Sequence, residues 1–433
     1  MADSQVLEKM RADWNARAKE DVRYYVAFGR RGQTEEEFFA TAGGIVRQLE
    51  EELARFPKHI SAEALRGLEI GCGPGRLMRT MSRNFGELHG VDVSDEMVQL
   101  ALEKFRGATK IHVHRTNGAD LDPLASDYFD FVYSYAVLQH IPAREVVYGY
   151  FSEIRRVLKT GGILKCQLNG LPASQKSPDT WEGVRFARPE IADYARDHDF
   201  QLLALEGAGT QYMWTTWRKQ PHGWSAGLTS EGASTRIRGL GNAQTGEPVV
   251  PASGRYAYLT LWMEQLPSDC DLNHLQVAVE GRAATVCYVG PPAWDGLSQI
   301  NVLMPPGVRT GLLSVEAFWL EKPMCPKAWL HVIPAGPLVP RVCSVLDGTN
   351  LLAGNRIESG TVKLVLEDLP ESPSITASID GTALADVDVF CTDALVGRYE
   401  VNVTLPEGVP RGAHMIELLC GSRRLAPTQI EVV

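Results

Sequence analysis

Between Leu65 and about Arg218, short apolar runs alternate with amphipathic helical stretches, and after Pro221 that alternation stops. This switch constrains the fold more than any single motif does. Strands separated by helices build a doubly wound parallel sheet, because each crossover must return the chain to the same end of the sheet. The predicted strands are 68–70, 88–91, 111–114, 129–135 and 163–168. Between the last two, Val146, Val147, Ile154 and Leu158 line one helical face. Pro142 stands where a first-turn proline is tolerated, and Lys159-Thr160-Gly161-Gly162 is expected to stop that helix.

Two helices are predicted upstream. Val6, Met10, Trp14, Ala18 and Val22 recur every four residues, and Phe39, Ala42, Val46, Leu49 and Leu53 follow the same face rule. Thr34 followed by Glu37 is a capping box in which side chain and backbone donors satisfy each other. Beyond Pro221, Thr- and Val-rich runs are broken by Gly and Pro in the manner of β-sandwiches. An internal repeat appears there: Gln299-Ile300-Asn301-Val302 matches Tyr399-Glu400-Val401-Asn402-Val403 onward, and Val279-Glu280-Gly281 matches Ile379-Asp380-Gly381. Such spacing suits two sandwich domains divided at the Pro-rich strip 334–340. The expected organisation is an N-terminal helical lid over 1–60, an α/β core over 61–222, and all-β sandwich repeats over 223–336 and 337–433.

Lys and Arg number 43 against 53 Asp and Glu, a formal net charge of -10, and an acidic surface disfavours nucleic acid as a partner. No uncharged run is long enough to span a membrane, so none is expected as a partner. The start Met1-Ala2-Asp3-Ser4-Gln5 lacks the basic flank and apolar stretch of a signal peptide, which makes the cytoplasm the expected location. Eight dispersed cysteines form no Cys-x-x-Cys pair and no cluster with histidine at zinc-ligand spacing, so reduced thiols and no metal are expected. A disulfide within the C-terminal half is the alternative.

Chemistry enters at Glu69-Ile70-Gly71-Cys72-Gly73-Pro74-Gly75-Arg76, a buried strand running into a glycine loop that opens a helix. Glycines permit the tight turn and close approach to a ligand, though a plain strand-to-helix turn reads the same way. The next strand ends at Gly90-Val91-Asp92, placing a carboxylate where its oxygens can accept hydrogen bonds from vicinal ribose hydroxyls. A nucleoside ligand is implied. Dinucleotide binding is the rival, but its fingerprint needs a small residue where this chain has Arg76.

Several motifs in order carry a resemblance: the glycine loop, Val91-Asp92-Val93-Ser94, Asn117-Gly118-Ala119-Asp120-Leu121, Phe129-Asp130-Phe131-Val132-Tyr133-Ser134 with Val137-Leu138-Gln139-His140-Ile141-Pro142, and Arg156-Val157-Leu158-Lys159-Thr160-Gly161-Gly162. Over about residues 60 to 220 the chain resembles the class I S-adenosylmethionine-dependent methyltransferases. The resemblance implies a Rossmann-like core of seven strands and S-adenosylmethionine as cofactor. By the same likeness, Glu69, Gly71, Cys72, Gly73 and Gly75 meet the methionine moiety, Asp92 holds the ribose, and Val93 with Met97 flanks the adenine. Asn117, Gly118, Ala119 and Asp120 face the adenine edge, while Ser134, Tyr135 and Ala136 line the cleft beside the sulfonium. The chain departs at Asn117, where many relatives carry aspartate.

A base is needed only if the acceptor must lose a proton. His140, after the fourth strand, is the candidate, with a backbone-bonding role at the start of the next helix as the alternative. Acceptor contacts are expected from Tyr24 and Tyr25 at the end of the first helix, from Gln139, and from Tyr212 and Trp214, which share one face of an aromatic strand. The acceptor class is a small molecule. The basic run Arg185-Phe186-Ala187-Arg188 reads as an acidic-substrate contact or a solvated loop. The C-terminal repeats resemble tandem immunoglobulin-like sandwiches, modules that bind partners, carbohydrate or one another. For Trp294, Trp319 and Trp329 a platform is conceivable, with buried core expected for at least two of them. Two rivals stand beside the enzyme reading: a binding protein in which the sandwiches carry function and the nucleotide fold senses, and a nicotinamide-dependent oxidoreductase.

Overall fold

A computed structural model describes residues 4–27, 31–173, 177–227, 235–254, 256–337, 339–348, 354–370, 373–393 and 397–433. Met1, Ala2 and Asp3 of the N-terminal stretch and Leu338 of the Pro-rich strip lie outside them. Three helices come first: α1 (Ser4–Ala27), α2 (Glu35–Ala40) and α3 (Gly43–Leu53). The single helix expected over Phe39 to Leu53 is broken, because the Thr41 hydroxyl donates to the Phe38 carbonyl at 2.6 Å and Gly43-Gly44 follows, both unfavourable to helix continuation. The capping box forms as expected, with the Glu37 N–H donating to Thr34 Oγ1 at 3.2 Å and the Thr34 N–H to Glu37 Oε2 at 2.9 Å. Helix α1 bends at Asp21, whose φ of -162° is non-helical; its carboxylate accepts the Tyr24 N–H at 3.1 Å and so restarts the helix.

The core sheet contains β1 (Arg66–Ile70), β2 (Glu87–Asp92), β3 (Ile111–Arg115), β4 (Phe129–Ser134), β5 (Leu158–Leu168), β6 (Phe200–Glu206) and β7 (Met213–Lys219). Their order is β3-β2-β1-β4-β5-β7-β6, and β7 runs antiparallel to both of its neighbours. The helices that join them are α4 (Met78–Met81), α5 (Asp95–Lys104), α6 (Arg144–Val157) and α7 (Arg188–Asp197). Alternation along each strand sends Leu68, Val132 and Leu164 toward Val147, Phe151 and Ile154 of α6. Leu88, Phe131, Tyr133 and Ile163 go toward Val46 and Leu49 of α3 and Met78 of α4. With both faces covered, the central strands β1 and β4 are buried nearly throughout. The predicted helix stop 159–162 instead belongs to β5, since α6 ends at Val157 and the strand begins at once.

The remaining strands repeat one pattern. The first set is β8 (Arg236–Asn242), β9 (Val249–Pro251), β10 (Tyr258–Glu264), β11 (Leu275–Val279), β12 (Arg282–Pro292), β13 (Leu297–Leu303), β14 (Gly311–Trp319), β15 (Lys322–Pro323) and β16 (Ala328–Ile333). The second is β17 (Arg341–Asp347), β18 (Arg356–Ile357), β19 (Thr361–Glu367), β20 (Ile375–Ile379), β21 (Thr382–Leu384), β22 (Val387–Asp393), β23 (Arg398–Thr404), β24 (Gly412–Cys420), β25 (Arg423–Arg424) and β26 (Thr428–Val432). Pairing β8-β10-β13-β12 recurs as β17-β19-β23-β22, and β9-β16-β14-β11 recurs as β18-β26-β24-β20. Each set closes on its own core, Leu261, Ile300, Val315 and Leu330 in the first and Leu364, Val401, Ile416 and Ile430 in the second.

The matching tripeptides have a cause. Glu280-Gly281 (φ 50° and 71°) and Asp380-Gly381 (φ 47° and 82°) are equivalent two-residue hairpin turns whose positive φ at both positions requires such residues. Tyr288 of β12 pairs with Ala204 of β6, so the first sandwich continues the edge of the core sheet.

Trp319 is buried, but Trp329 and Trp294 are exposed, against the expectation of core for two of the three. Trp329 alternates with buried Leu330 along β16, and Trp294 sits in the β12–β13 turn. None of the eight cysteines is bridged. Among the described residues no helix is long and apolar enough to cross a membrane.

Candidate active site

The strand tips meet in a cradle. Leaving β1, the chain turns at Gly71 (φ 71°), where a Cβ would lie 2.2 Å from Val137 Cγ2. Only glycine lets this loop pass beneath the exit of β4. The N–H groups of Gly71 and Cys72 donate to the Val91 carbonyl at 2.8 and 3.0 Å, tying the loop to β2. Asp92, the last residue of β2, accepts the Gly73 N–H at 2.9 Å on one oxygen and the Ser94 N–H at 2.8 Å on the other. A carboxylate has about four acceptor sites, so these bonds do not exhaust its capacity to accept from a ligand. Burial pushes the Asp92 pKa up, against the pull of those N–H donors.

Around this cradle lies a cavity lined by the strand tips, α1 and the loop after β4. Of the residues expected at the cofactor, Glu69, Gly71, Cys72, Gly73, Asp92, Val93, Met97, Tyr135 and Ala136 line it. His140 and Tyr25 line it as well. The others stand back, for identifiable reasons. Gly75 (φ 87°) makes room for the Phe105 ring, which a Cβ would meet at 2.4 Å. Asn117 closes its own turn, its Oδ1 accepting the Ala119 and Asp120 N–H groups at 2.8 and 3.1 Å while its amide donates to Asp120 Oδ2 at 2.6 Å. Gly118 backs Val93, where a Cβ would lie 3.0 Å from Val93 Cγ2. Ser134 donates to the Ile70 carbonyl at 3.1 Å and clips β4 to β1.

The expected acceptor contacts divide too. Tyr25 reaches the cavity, with its hydroxyl donating to Glu20 at 2.9 Å, whereas Tyr24 is buried under Arg31, whose guanidinium lies 4.6 Å over its ring. Trp214 stacks on Tyr135 with centroids 5.5 Å apart, and with Tyr212 it lines a separate cavity shared with β17, β19, β22 and β23. The basic run does not line the cavity, and its arginines are bonded to backbone: Arg188 donates to the Leu205 carbonyl at 2.8 Å and to the Val286 carbonyl, and Arg185 to the Pro172 carbonyl at 2.8 Å.

His140 is buried, and burial drives its pKa down to about 4. Its Nδ1 donates to the Trp181 carbonyl at 2.7 Å, which leaves Nε2 to accept from the Gln139 amide at 3.1 Å. Gln139 is bonded in turn to Gln167, whose Oε1 accepts the Ala136 N–H at 3.0 Å. The histidine thus anchors a polar chain that shapes the loop after β4.

Sequence reasoning missed Met10, Trp14, Val26, Arg76, Thr116 and Tyr150, all of which line the cavity. Met10 and Trp14 lay on the apolar stripe of α1, which reads equally as core. That stripe crosses the cradle because Asn15 and Arg11 of α1 bond Ser94 and Asp95 at 2.6 Å each, while Arg17 donates to the Thr180 carbonyl at 2.8 Å. Glu69 is buried, accepts the Tyr133 hydroxyl at 2.9 Å, and is pushed up to about 8 by desolvation. Arg76 bonds Thr41 at 3.1 Å and lies 5.6 Å from the Tyr135 ring centroid, with its Nε lacking a partner; the buried Thr116 hydroxyl lies beside that of Tyr150.

Residues 68–166 match the family described as a methyltransferase domain. The ubiquinone biosynthesis O-methyltransferase of Cereibacter sphaeroides (strain ATCC 17025 / ATH 2.4.3) is 31% identical over 131 residues, covering 29% of this chain and 51% of that protein. The demethylmenaquinone methyltransferase of Tropheryma whipplei (strain Twist) is 32% identical over 147 residues, 34% of this chain and 56% of that one. The chain spans about half the length of the curated relatives it matches. A solved geranyl diphosphate C-methyltransferase from Streptomyces coelicolor A3(2) is 15% identical, covering 49% of this chain and 97% of that chain at a TM-score of 0.37. The matched stretch runs from the glycine loop through β5 and contains the Asp92 cradle, so residues 68–166 form a methyltransferase domain of the S-adenosylmethionine-dependent class.

Proposed function

We propose that the whole chain is an S-adenosylmethionine-dependent methyltransferase acting on a small, flat, largely apolar acceptor. The observation that carries this reading is the bond between Asp92 and the Gly73 N–H, which makes the glycine loop and the ribose-facing carboxylate one preorganised unit. S-adenosylmethionine supplies an activated methyl group, so the protein's task is orientation and exclusion of water, worth up to about 7 to 11 kcal/mol. Asp92 holds the ribose hydroxyls, Val93 and Met97 sandwich the base, and Thr116 and Tyr150 line the cavity beside them. Trp14 and Tyr25 of α1 roof the cavity beside Tyr135 and support a planar acceptor, as do the names of the two relatives from quinone pathways. No relative supports the reading in which the sandwiches carry function and the core only senses.

The test is thermal. A ligand at 100 times its Kd stabilises by about 2.7 kcal/mol, so S-adenosylmethionine and S-adenosylhomocysteine are both expected to raise the Tm. Absence of any shift with either compound removes the basis of the proposal. A labelled-methyl screen over phenolic and quinone-like acceptors then identifies the class.

Two expectations accompany it. Glu69, pushed up to about 8, is protonated at neutral pH, and a cationic ligand beside it favours the ionised form. Binding therefore releases about one proton at pH 7, and affinity climbs with pH until about 8 and then levels. Calorimetry in buffers of different ionisation enthalpy measures this release, which Glu69→Gln should abolish; no release in the wild type would mean Glu69 does not sense the cofactor. For His140, a pKa of about 4 and an Nε2 already occupied by Gln139 favour a positioning role. The rate with an oxygen acceptor is then expected to show no His140-dependent inflection between pH 5.5 and 8, whereas an inflection there that disappears in His140→Asn would make this histidine the base.

A further inference from the structure

Strands β2 and β3 lie in register with His89 opposite His112, so alternation places Glu87 and His89 of one and His112 and His114 of the other on a single face. Residues 116–128, which lead from β3 to β4, form no helix, and the His112 side chain keeps 43% of its surface open to water. One carboxylate oxygen of Glu87 and one ring nitrogen each of His89 and His112 lie within 4.8 Å of one another, the only such group among the described residues. Glu87 Oε1 is 2.7 Å from His89 Nε2 and 3.8 Å from His112 Nε2.

Both inner ligands are held from behind. The Tyr128 hydroxyl donates to Glu87 at 3.0 and 2.8 Å, and His89 Nδ1 lies 3.0 Å from His114 Nε2. Metal-binding imidazoles and carboxylates characteristically have such orienting partners on their other atoms.

We propose that Glu87, His89 and His112 form a binding site for one divalent transition-metal ion of the Zn²⁺ or Co²⁺ type, with the fourth position left to water. Two imidazoles and a carboxylate suit a borderline-soft ion rather than Mg²⁺ or Ca²⁺. A tetrahedral site with bonds of about 2.0 to 2.2 Å spaces its ligand atoms roughly 3.3 Å apart. Glu87 and His89 move apart by about half an ångström to reach that spacing, and the exposed His112 ring closes by as much. The ion pins edge strand β3 to β2. It lies at the end of β2 away from the cradle, since Glu87 opens that strand and Asp92 closes it, roughly 16 Å apart at the usual rise. The site is therefore separate from the cradle. Linear spacing concealed it, because its ligands come from two strands and include a carboxylate.

The full-length chain, stripped with a chelator and dialysed, is titrated with Co²⁺ while visible absorption is followed, then with Zn²⁺ in competition. One equivalent of Co²⁺ is expected to give the intense spectrum of a tetrahedral complex and to be displaced by Zn²⁺. His112→Ala, at an exposed position, should weaken binding at least 100-fold, and Tyr128→Phe, which removes only an orienting bond, about 10-fold or more. Retained thermal response to S-adenosylmethionine shows that each variant is folded, and Glu87→Gln supplies a near-isosteric second ligand variant. The proposal is overturned if Co²⁺ and Zn²⁺ do not bind below millimolar concentration, or if binding is unchanged in both His112→Ala and Glu87→Gln.

Discussion

Replacing Glu52 with alanine is expected to destabilise the protein by about 3 to 5 kcal/mol, read as a lower denaturant midpoint with an unchanged slope. Glu52, near the end of α3, is 3% exposed, and its carboxylate accepts from Lys165 Nζ of β5 at 2.7 Å, from the Thr216 hydroxyl of β7 at 2.8 Å, and from Arg55 Nε. Lys165 is itself 5% exposed. Deleting the carboxylate strands buried cations whose desolvation nothing then offsets, which is the costly way to break a buried ion pair. Lys165→Met is expected to cost less, because Arg55 and Thr216 still satisfy the carboxylate and the methionine fills the vacated volume.

The cations hold Glu52 down at about 2 from an ordinary value of 4.5, despite the opposing effect of its burial. Its contribution is therefore complete above pH 4.5 and lost as the pH falls toward 2, in wild type but not in Glu52→Ala. A loss below about 1 kcal/mol in Glu52→Ala would show that water reaches this network and that α3 is not fastened to the sheet through it.

This network also shows where sequence reasoning stops. Glu52 stands in the run Glu50-Glu51-Glu52, and its partner is 113 positions away, so nothing local distinguishes it from its solvated neighbours. The legible parts are those whose cause is local. Strands β1 to β5 follow from apolar runs, the Thr34 cap from a four-residue pattern, and the hairpins at Gly281 and Gly381 from residues that tolerate positive φ. Gly71 and Asp92 were legible because a backbone turn and a strand tip each demand a residue type. Arg76, Thr116 and Tyr150 were not, since their place in the cavity depends on how α1, α6 and the loop after β3 come together. Asn117 was read as facing adenine, yet its side chain is committed to its own turn, the ordinary preference of that residue.

Gly71→Ala is expected to weaken S-adenosylmethionine binding about 100-fold or more and to lower stability as well. Two independent penalties coincide at this position. A φ of 71° costs an L-residue about 1 to 2 kcal/mol. The new methyl group would also lie 2.2 to 2.9 Å from three atoms of Val137, an overpacking worth a further 1 to 3 kcal/mol or so. Val137 cannot easily retreat, because Ala136 beside it has a φ of 55° and its N–H is held by Gln167. The clash must then part the two loops that line the cavity and pull Gly73 away from Asp92.

Gly73→Ala separates the two penalties: its nearest neighbour is 3.7 Å away, so conformational strain acts there without the clash, and a smaller loss is expected. The double variant Gly71→Ala/Val137→Ala should recover part of the binding by removing the two closest contacts, at 2.2 and 2.6 Å, while the 2.9 Å contact with Cβ and the strain remain. If Gly71→Ala binds S-adenosylmethionine within threefold of wild type, the approach of the two loops does not shape the site, and the cradle must owe its form to Asp92 alone.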